Sequence, residues 1–348
     1  MTAETAHWWC TAPGVAERRL ETLPEPGPGE LRVRVGYTAI SPGSNLHVWR
    51  TGGYGPGGAS VPEDLVYMGS GIVERTGPGV SSVAAGDRVV IRGVGHQAAI
   101  VVPEARVVRV PDGLRLRDAA LSYLPSWAVS ALHLGRYAAA ETIVVTGLGL
   151  VGCSAALVAE RMGARVLGLD VDPVRVAFAE TLGLGAVAQV GTPEGAAAEA
   201  AFLAPGGGPD LVLETTGAYA GLGEAIRVAR DWTRIALMGI HRRAPSEAEA
   251  AALHRALTTY PAKLHYGRLS FIGVGSDPEE HPVPGPSRAT PRTNLAWVLE
   301  QAARGMLPIG RLVTEVLPPD AIGSALDRMA GGETRLVGVV FDWATGEE

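Results

Sequence analysis

A glycine-rich segment between two apolar runs constrains the fold of this chain more than any other feature. The apolar run 143–145 leads through Thr146 into the segment 147–152, which reads Gly-Leu-Gly-Leu-Val-Gly. Small, helix-compatible residues follow, and a second apolar run, 165–169, precedes Asp170. Strand, G-x-G-x-x-G turn, helix, strand and acid in this order, with the acid 23 residues after the first glycine, are typical of a parallel βαβ unit that binds a dinucleotide.

Each part of this unit has a physical role. Gly147 permits the tight turn, Gly149 lets the backbone approach a pyrophosphate because it has no Cβ, and Gly152 allows the helix to pack closely on the strand. The helix N-terminus offers N–H groups to phosphates, and Asp170 can accept hydrogen bonds from ribose hydroxyls while repelling a 2′-phosphate. We therefore predict that NAD, rather than NADP, is bound by Gly147, Leu148, Gly149, Leu150, Val151, Gly152 and Asp170. A glycine-rich turn without a ligand is the alternative.

Composition restricts the class of protein. A chain of 348 residues with 47% hydrophobic and 19% charged residues favours two globular domains. The net charge of −6 gives no reason to expect nucleic acid or an anionic membrane as a partner, and we expect a small-molecule substrate. The longest apolar stretch, 143–159, contains three glycines, which argues against a membrane span.

The use of cysteine and lysine limits the chemistry. Cys10 and Cys153 are far apart in sequence, so a disulfide scaffold is implausible and a cysteine-rich zinc lobe is excluded. From the two isolated cysteines we expect a reducing, cytoplasmic setting, and the first residues show no signal-peptide pattern. Lys263 is the only lysine, so Schiff-base chemistry would depend on it alone.

The residue pattern changes near position 118. Before it, short β-branched runs between Gly/Pro turns are typical of a barrel-like all-β domain, with predicted strands at 31–35, 71–74, 87–91, 99–102 and 107–110. After it, apolar runs at 143–147, 165–169, 210–213, 234–239 and 269–274 alternate with helical stretches such as 174–182 and 221–230, which predicts a parallel doubly wound sheet. A proline-rich loop at 276–292, which could be a surface segment or a lid, precedes a helix at 293–304 and a strand–helix–strand pattern at 311–343.

Several segments in order along the chain resemble the medium-chain dehydrogenase/reductase superfamily. The segment 79–89, which ends Gly-Asp-Arg-Val, resembles a recurring segment of that family, as do the fingerprint at 147–152 and the segment 314–318. The resemblance implies an α/β protein in which a GroES-like β-barrel catalytic domain (1–122 and 278–348) accompanies a Rossmann doubly wound parallel-sheet domain (123–277). It also implies a homodimer or homotetramer.

The departures from the family concern zinc. Zinc-containing members have ligands at positions that correspond here to Pro42, Tyr67 and the neighbourhood of Ser122, and a Glu where this chain has Met68. Pro cannot bind a metal, and catalytic zinc needs three protein ligands. We therefore predict a protein without catalytic zinc. Zinc held by His47, His96 and a carboxylate is the alternative.

The residues that resemble the family's proton relay are Ser44 and His47, and Tyr67 stands at a former ligand position. We predict that these three residues are catalytic, because an alcohol or ketone oxygen without a Lewis acid needs a group that gives or takes a proton. The alternatives are that His47 only binds the cofactor ribose, Ser44 caps a turn and Tyr67 is a pocket wall. Predicted substrate contacts, each of which could instead be packing or capping, are Asn45, Trp49, Tyr54, Tyr123 and Trp127.

Further cofactor contacts are predicted after the strands of the second half. Thr216 and Gly217 resemble the family's nicotinamide-side turn, and Gly239 and Ile240 end the next strand. Arg175 could flank the adenosine.

Three functions agree with these features. The preferred one is a zinc-independent, NAD-dependent oxidoreductase of a secondary alcohol or ketone. Its substrate would be a polyhydroxylated, sugar- or cyclitol-like, or otherwise bulky biosynthetic intermediate, because the segment 38–45 resembles a zinc-lacking subgroup that acts on such compounds. The alternatives are an NADPH-dependent quinone or enoyl (C=C) reductase and a non-catalytic NAD-binding protein, and fold alone does not choose among them.

Overall fold

The structure, a computed structural model, describes residues 3–55, 60–65, 67–258, 263–275 and 290–343. The chain forms two compact units, Met1–Tyr123 with Leu295–Glu348, and Leu124–Asn294. The predicted domain boundary at residue 278 and most of the predicted loop at 276–292 fall on 276–289, outside the described residues.

The strands, in chain order, are β1 (Ala3–Ala12), β2 (Val15–Leu23), β3 (Glu30–Ala39), β4 (Glu63–Asp64), β5 (Met68–Thr76), β6 (Arg88–Arg92), β7 (His96–Gln97), β8 (Ala99–Pro103), β9 (Val107–Arg109), β10 (Thr142–Thr146), β11 (Arg165–Asp170), β12 (Val187–Gln189), β13 (Leu211–Glu214), β14 (Arg234–Leu237), β15 (Ser270–Gly273), β16 (Val313–Leu317) and β17 (Gly338–Asp342). The α-helices are α1 (Pro42–Thr51), α2 (Leu116–Ala119), α3 (Tyr123–Leu134), α4 (Leu150–Arg161), α5 (Pro173–Thr181), α6 (Pro193–Leu203), α7 (Tyr219–Val228), α8 (Glu247–Thr258), α9 (Pro291–Ala303) and α10 (Ile322–Ala330). In the part of the chain described, no helix combines the length and apolarity that a membrane crossing requires.

The first unit is built on two β-sheets. A seven-stranded sheet has the order β16-β17-β3-β5-β6-β9, with β8 also on β3, and a four-stranded sheet has the order β2-β1-β4, with β7 on β1. Strand β3 is central because its Leu31, Val33 and Val35 are buried with residues of β5, β6, β8 and β9. The five strands predicted between 31 and 110 are confirmed, as is the strand–helix–strand pattern at 311–343.

The hairpin of β1 and β2 was not predicted from the sequence. Most of the residues of β2 are exposed, and β1 and β2 carry His, Trp, Arg and Glu rather than a β-branched run. Pairing along nearly the whole length of both strands stabilises the hairpin instead. The turn between the strands contains Gly14, whose φ of 73° suits glycine.

A buried histidine ties this hairpin to β4. In the His7 ring, Nδ1 lies 3.0 Å from Glu21 Oε2 and Nε2 lies 2.9 Å from Asp64 Oδ1. Trp9 Nε1 donates to the other oxygen of Glu21 at 2.7 Å. Burial acts to lower the pKa of His7, but the hydrogen bonds and charges of Asp64 and Glu21 outweigh it and raise the pKa above 6.5. The protonated ring therefore bridges two carboxylates.

This bridge makes stability depend on pH. Because the folded-state pKa of His7 is raised, its stabilisation is complete below pH 6.5 and is lost as the pH rises through the folded-state value. We expect His7→Gln to lower the free energy of unfolding by about 1–3 kcal/mol at pH 6 and to flatten its fall toward alkaline pH. Urea denaturation across this range measures both effects. His254→Gln, at an exposed position of α8, is the control and should keep the wild-type slope. If the free energy of unfolding of His7→Gln fell with pH as steeply as that of the wild type, the His7 bridge would not be the cause of the pH dependence.

The second unit contains one parallel sheet in the order β12-β11-β10-β13-β14-β15. This confirms the predicted doubly wound sheet and all five strands predicted in it. The order reverses between β10 and β13, and ligands of such sheets bind at the carboxyl ends of the strands at this point. Strand β12 was missed because three residues, Val187–Gln189, give too short a pattern.

Lys263 closes the C-terminal end of α7. Its Nζ donates to the carbonyl oxygens of Ile226, Arg227 and Ala229 at 2.6–2.8 Å. Burial lowers its pKa. The ammonium thus satisfies carbonyls that a helix end leaves without intrahelical partners.

Candidate functional site

The glycine-rich turn is set by close backbone packing. Gly147 has a φ of 90°, and a Cβ on Gly152 would overlap the carbonyl oxygen of Gly147. A Cβ on Gly149, by contrast, would have no atom within 4 Å. Gly149 is also the N-cap residue of α4 and provides no side-chain cap, so the N–H groups of the first turn face a space that a phosphate can fill.

The other residues of the turn differ in how far their side chains are buried. The side chains of Leu148 and Leu150 are buried in the core, whereas Val151 is partly exposed. Any contact of Leu148 or Leu150 with a ligand would therefore come from the backbone.

Asp170 ends β11 and braces the turn. Its Oδ2 accepts a hydrogen bond from the N–H of Leu148 at 2.6 Å, and its Oδ1 accepts one from Asp172 at 2.9 Å. Arg175 Nη1 lies 3.8 Å from Oδ2. Each carboxylate oxygen has a further lone pair, so the predicted hydrogen bonds to a ribose are compatible with this bracing role. That ribose contact stays a prediction.

The turn after β13 lies against the glycine-rich turn, and the turn after β14 lies against the turn after β13. Thr215 Oγ1 lies 2.8 Å from the carbonyl oxygen of Thr146 and 3.1 Å from that of Gly147, and it can donate to either. A Cβ on Gly217, which has a φ of 62°, would lie 2.8 Å from the carbonyl oxygen of Ile240. The structure therefore brings four predicted cofactor residues to the same edge of the sheet as the fingerprint: Thr216, Gly217, Gly239 and Ile240.

Glu214 organises these turns and was missed in the sequence. It is fully buried at the end of β13, and its Oε1 accepts hydrogen bonds from the N–H groups of Thr216 at 2.7 Å and Gly217 at 3.2 Å. The Thr216 hydroxyl also donates to Oε1. An acid that directly follows the apolar run 211–213 is the sequence signal that could have identified it.

In the first unit, hydroxyl groups gather around Tyr67. Helix α1 begins with Pro42, and its N-cap residue Ser41 is extended. Ser41 and Ser44 both form hydrogen bonds with the Tyr67 hydroxyl. The Tyr123 ring packs edge-on against Tyr67, with a centroid distance of 5.5 Å. We call Ser41, Ser44, Asn45, Tyr54, Tyr67 and Tyr123 the hydroxyl cluster.

The Tyr67 phenol stays protonated at neutral pH. Its side chain is half-buried, and burial of the hydroxyl raises the pKa well above its ordinary value. The neighbouring Tyr123 raises it further, while the hydrogen bonds from Ser41 and Ser44 act in the opposite direction. Tyr67 can therefore donate a hydrogen bond, and it is a poor base at neutral pH.

Of the other predicted residues on α1, Asn45 and Trp49 are buried, and His47 lies on the same face of the helix as Ser44. Asn45 is fully buried, and its Oδ1 accepts from the Ser41 N–H at 2.7 Å, which is the capping alternative. Trp49 is also buried, packs with α10 and donates to Asp327 at 3.0 Å. His47 follows Ser44 by three residues, so the two share one face of α1. Substrate contacts of Asn45 and Trp49 stay predictions.

The last predicted substrate contact and the remaining residues considered for zinc lie outside α1. Trp127 is a half-buried residue of α3 in the second unit. Met68 begins β5 and is buried, and Ser122 donates to the carbonyl of Ala119 at 2.6 Å. Across the described ranges, no three His, Cys, Asp or Glu residues are grouped to hold a metal ion. His96 is buried beside Thr38, and burial lowers its pKa to about 3.

Comparison with known proteins supports both halves of this architecture. The family model described as the alcohol dehydrogenase GroES-like domain matches residues 27–112, and the one described as zinc-binding dehydrogenase matches residues 151–276. Together the two models match more than half of the chain.

Curated relatives extend over most of the chain. A 2-dehydro-3-deoxy-L-galactonate 5-dehydrogenase of Pseudoalteromonas atlantica is 25% identical, over 88% of this chain and 89% of that protein. A sorbitol dehydrogenase of Macaca fascicularis is 28% identical, over 65% and 73%.

Solved structures share the fold. A dehydrogenase of Sinorhizobium meliloti bound to NADP has a TM-score of 0.76 and 19% identity, over 98% of this chain and 99% of that one. An alcohol dehydrogenase of Escherichia coli in complex with NADH has a TM-score of 0.74 and 18% identity, again over 98% and 99%.

The contrast between two glycines of the turn is testable. Gly152→Ala should lower the free energy of unfolding by roughly 2–4 kcal/mol, because its Cβ would overlap the Gly147 carbonyl. Gly149→Ala should change it by less than about 1 kcal/mol, because its Cβ meets open space and its φ of −73° suits alanine. Urea denaturation of the two variants measures the difference. Equal destabilisation would contradict the packing described for the turn.

Proposed function

This chain belongs to the medium-chain dehydrogenase/reductase superfamily of zinc-type alcohol dehydrogenase-like proteins, and we propose that it transfers hydride between NAD(H) and a secondary alcohol or ketone. The observation that carries the proposal is the open, uncapped glycine-rich turn at the point where the sheet order reverses. Its fold relatives include proteins solved with NADP and with NADH.

The residues of the second unit fit a dinucleotide. The pyrophosphate would lie over Gly149, where no side chain fills the space, and Asp170 and Arg175 would flank the adenosine ribose. Thr216, Gly217, Gly239 and Ile240 would contact the nicotinamide half. We favour NAD over NADP because the Asp170 carboxylate would repel a 2′-phosphate. The bound nicotinamide supplies the hydride acceptor or donor.

The residues of the first unit do not fit a catalytic zinc. The positions at which the family resemblance places ligands hold Pro42, Tyr67 and Ser122, and none of these provides the Cys, His or carboxylate donors typical of protein zinc sites. We therefore propose a zinc-independent reaction in which the hydroxyl cluster holds the substrate oxygen.

In alcohol oxidation, the substrate hydroxyl would lose its proton as hydride leaves the carbon. The Tyr67 hydroxyl would donate a hydrogen bond to the substrate oxygen, because burial keeps the phenol protonated. Ser44 would pass the substrate proton to His47, whose imidazole can accept it, and His47 would release it to water. Ketone reduction would run the same steps in reverse.

The chemistry of the hydroxyl cluster supports a polyhydroxylated substrate. Serine and tyrosine hydroxyls and the Asn45 amide are neutral donors and acceptors, which suit the hydroxyl groups of a sugar or cyclitol. The sugar-acid and sorbitol dehydrogenases among the relatives agree with this class. A bulky biosynthetic intermediate remains within the proposal. We further propose that the protein is cytoplasmic and a homodimer or homotetramer.

An NADPH-dependent reductase of activated C=C bonds is the second candidate. A protonated Tyr67 could also deliver a proton to a substrate after hydride addition, and one fold relative was solved with NADP. The retained Ser44–His47 pair and Asp170 favour the alcohol reaction.

An assay of the chelator-treated protein separates the candidates. We expect NAD to be reduced in the presence of a secondary alcohol, sugar or cyclitol, at a rate unchanged by the chelator, because the hydroxyl cluster rather than zinc holds the substrate oxygen. The appearance of reduced nicotinamide measures this reaction. Oxidation of NADPH by enones alone would instead establish the C=C reductase. Loss of activity on chelation, restored by zinc, would contradict the zinc-independent reaction.

The role of Tyr67 can be separated from cofactor binding. Tyr67→Phe should lower kcat on the order of a hundredfold, because the ring is kept and only the proton donor is removed. The affinity for NADH, followed by fluorescence titration, should stay within about twofold. Tyr137→Phe is the matched control, since this phenol donates to the Met162 carbonyl in the second unit. Unchanged turnover in Tyr67→Phe would assign Tyr67 to the pocket wall.

A further inference from the structure

Two buried polar atoms face each other where β13 and β14 end. Glu214 Oε2 lies 3.8 Å from His241 Nε2. Neither atom has a hydrogen-bond partner among the described residues. The glutamate side chain is fully buried and that of the histidine is 14% exposed. A separation of 3.8 Å is too long for a hydrogen bond, yet a movement of about 1 Å would form one.

Glu214 is held in place by its other oxygen. Its Oε1 accepts from the N–H groups of Thr216 and Gly217, so the carboxylate cannot turn away without releasing that turn. Gly239 packs beside Oε2, where an added Cβ would lie 2.9 Å away. Any movement that closes the pair must therefore come from the segment of His241.

His241 is supported by a ring contact, and its Nε2 has no hydrogen-bond partner among the described residues. Its ring packs against Tyr219 of α7, with a centroid distance of 5.0 Å and a tilt of 48°. The guanidinium of Arg243 lies 5.6 Å from the centre of the same Tyr219 ring and pairs with Glu249. This ring contact fixes the imidazole beside Glu214 without hydrogen-bonding Nε2.

We propose that Glu214 and His241 are positioning residues that close on each other when the nicotinamide half of the cofactor binds. In the tautomer with the proton on Nε2, His241 would donate to Glu214 Oε2 and hold Gly239 and Ile240 against Gly217, with which they are already in close contact. This inference rests on the proposed function, because the same turns are the proposed nicotinamide contacts. The adenosine half, held by the fingerprint and Asp170, would not require the closure.

The comparison of NAD with ADP-ribose, which lacks the nicotinamide, tests the proposal by calorimetric titration. His241→Phe keeps a ring against Tyr219 and removes the donor, so we expect NAD affinity to fall roughly tenfold and ADP-ribose affinity to stay within about twofold. His241→Gln, whose amide nitrogen can reach as Nε2 does, should restore most of the loss. Glu247→Gln, an exposed acid on α8, is the control and should leave both affinities unchanged.

A second variant tests the coupling of the two residues. Glu214→Gln should also lower the affinity for NAD. The double variant with His241→Phe should bind NAD about as weakly as either single variant, since both substitutions remove the same hydrogen bond. The proposal would be overturned if the two losses of NAD affinity multiplied in the double variant, or if a variant lost as much affinity for ADP-ribose as for NAD. If the unaltered protein binds ADP-ribose as tightly as NAD, the closure is wrong while the dinucleotide site stands. If it binds neither, the proposed function fails and the closure fails with it.

Discussion

The second unit depends on the approach of Gly152 to the carbonyl oxygen of Gly147, a contact that leaves no space for a side chain. This contact lets α4 begin directly after β10, with its N-terminus at the reversal of the sheet order. The Thr215 hydroxyl attaches the turn after β13 to the same point. The shape of the proposed cofactor site is thus set by backbone packing, and side chains such as Asp170 refine it.

In the first unit, the proposed site holds the substrate oxygen with hydroxyl groups. Under the proposed function, a neutral phenol takes the position of a divalent cation, so the site stabilises developing negative charge by hydrogen bonding alone. A hydrogen bond provides less charge stabilisation than a metal ion, which makes removal of the substrate proton through Ser44 and His47 more important.

The sequence was informative where a short pattern has only one physical explanation. The spacing of Gly147, Gly149 and Gly152 predicted the strand–helix junction, because the turn needs a positive φ at Gly147 and leaves no space for a side chain at Gly152. The alternation of apolar runs with helical stretches predicted the parallel sheet. The hairpin of β1 and β2 could not be predicted in this way, since it depends on long-range pairing and on the bridge from His7 to Asp64. Glu214 and the cluster around Tyr67 were only partly visible, because their partners are distant in sequence or are backbone groups.

Lys263 gives the chain an unusual chemical property. It is the only lysine in the sequence, and its amine is engaged by three carbonyl oxygens at the end of α7. The neutral amine is the form that attacks an acylating reagent; the lowered pKa favours this form, while the carbonyl contacts shield it. The rate of acylation at this one side chain therefore reports how often the end of α7 opens. The mass increment of the peptide that contains Lys263 is therefore enough to follow local unfolding of the second unit without mutagenesis.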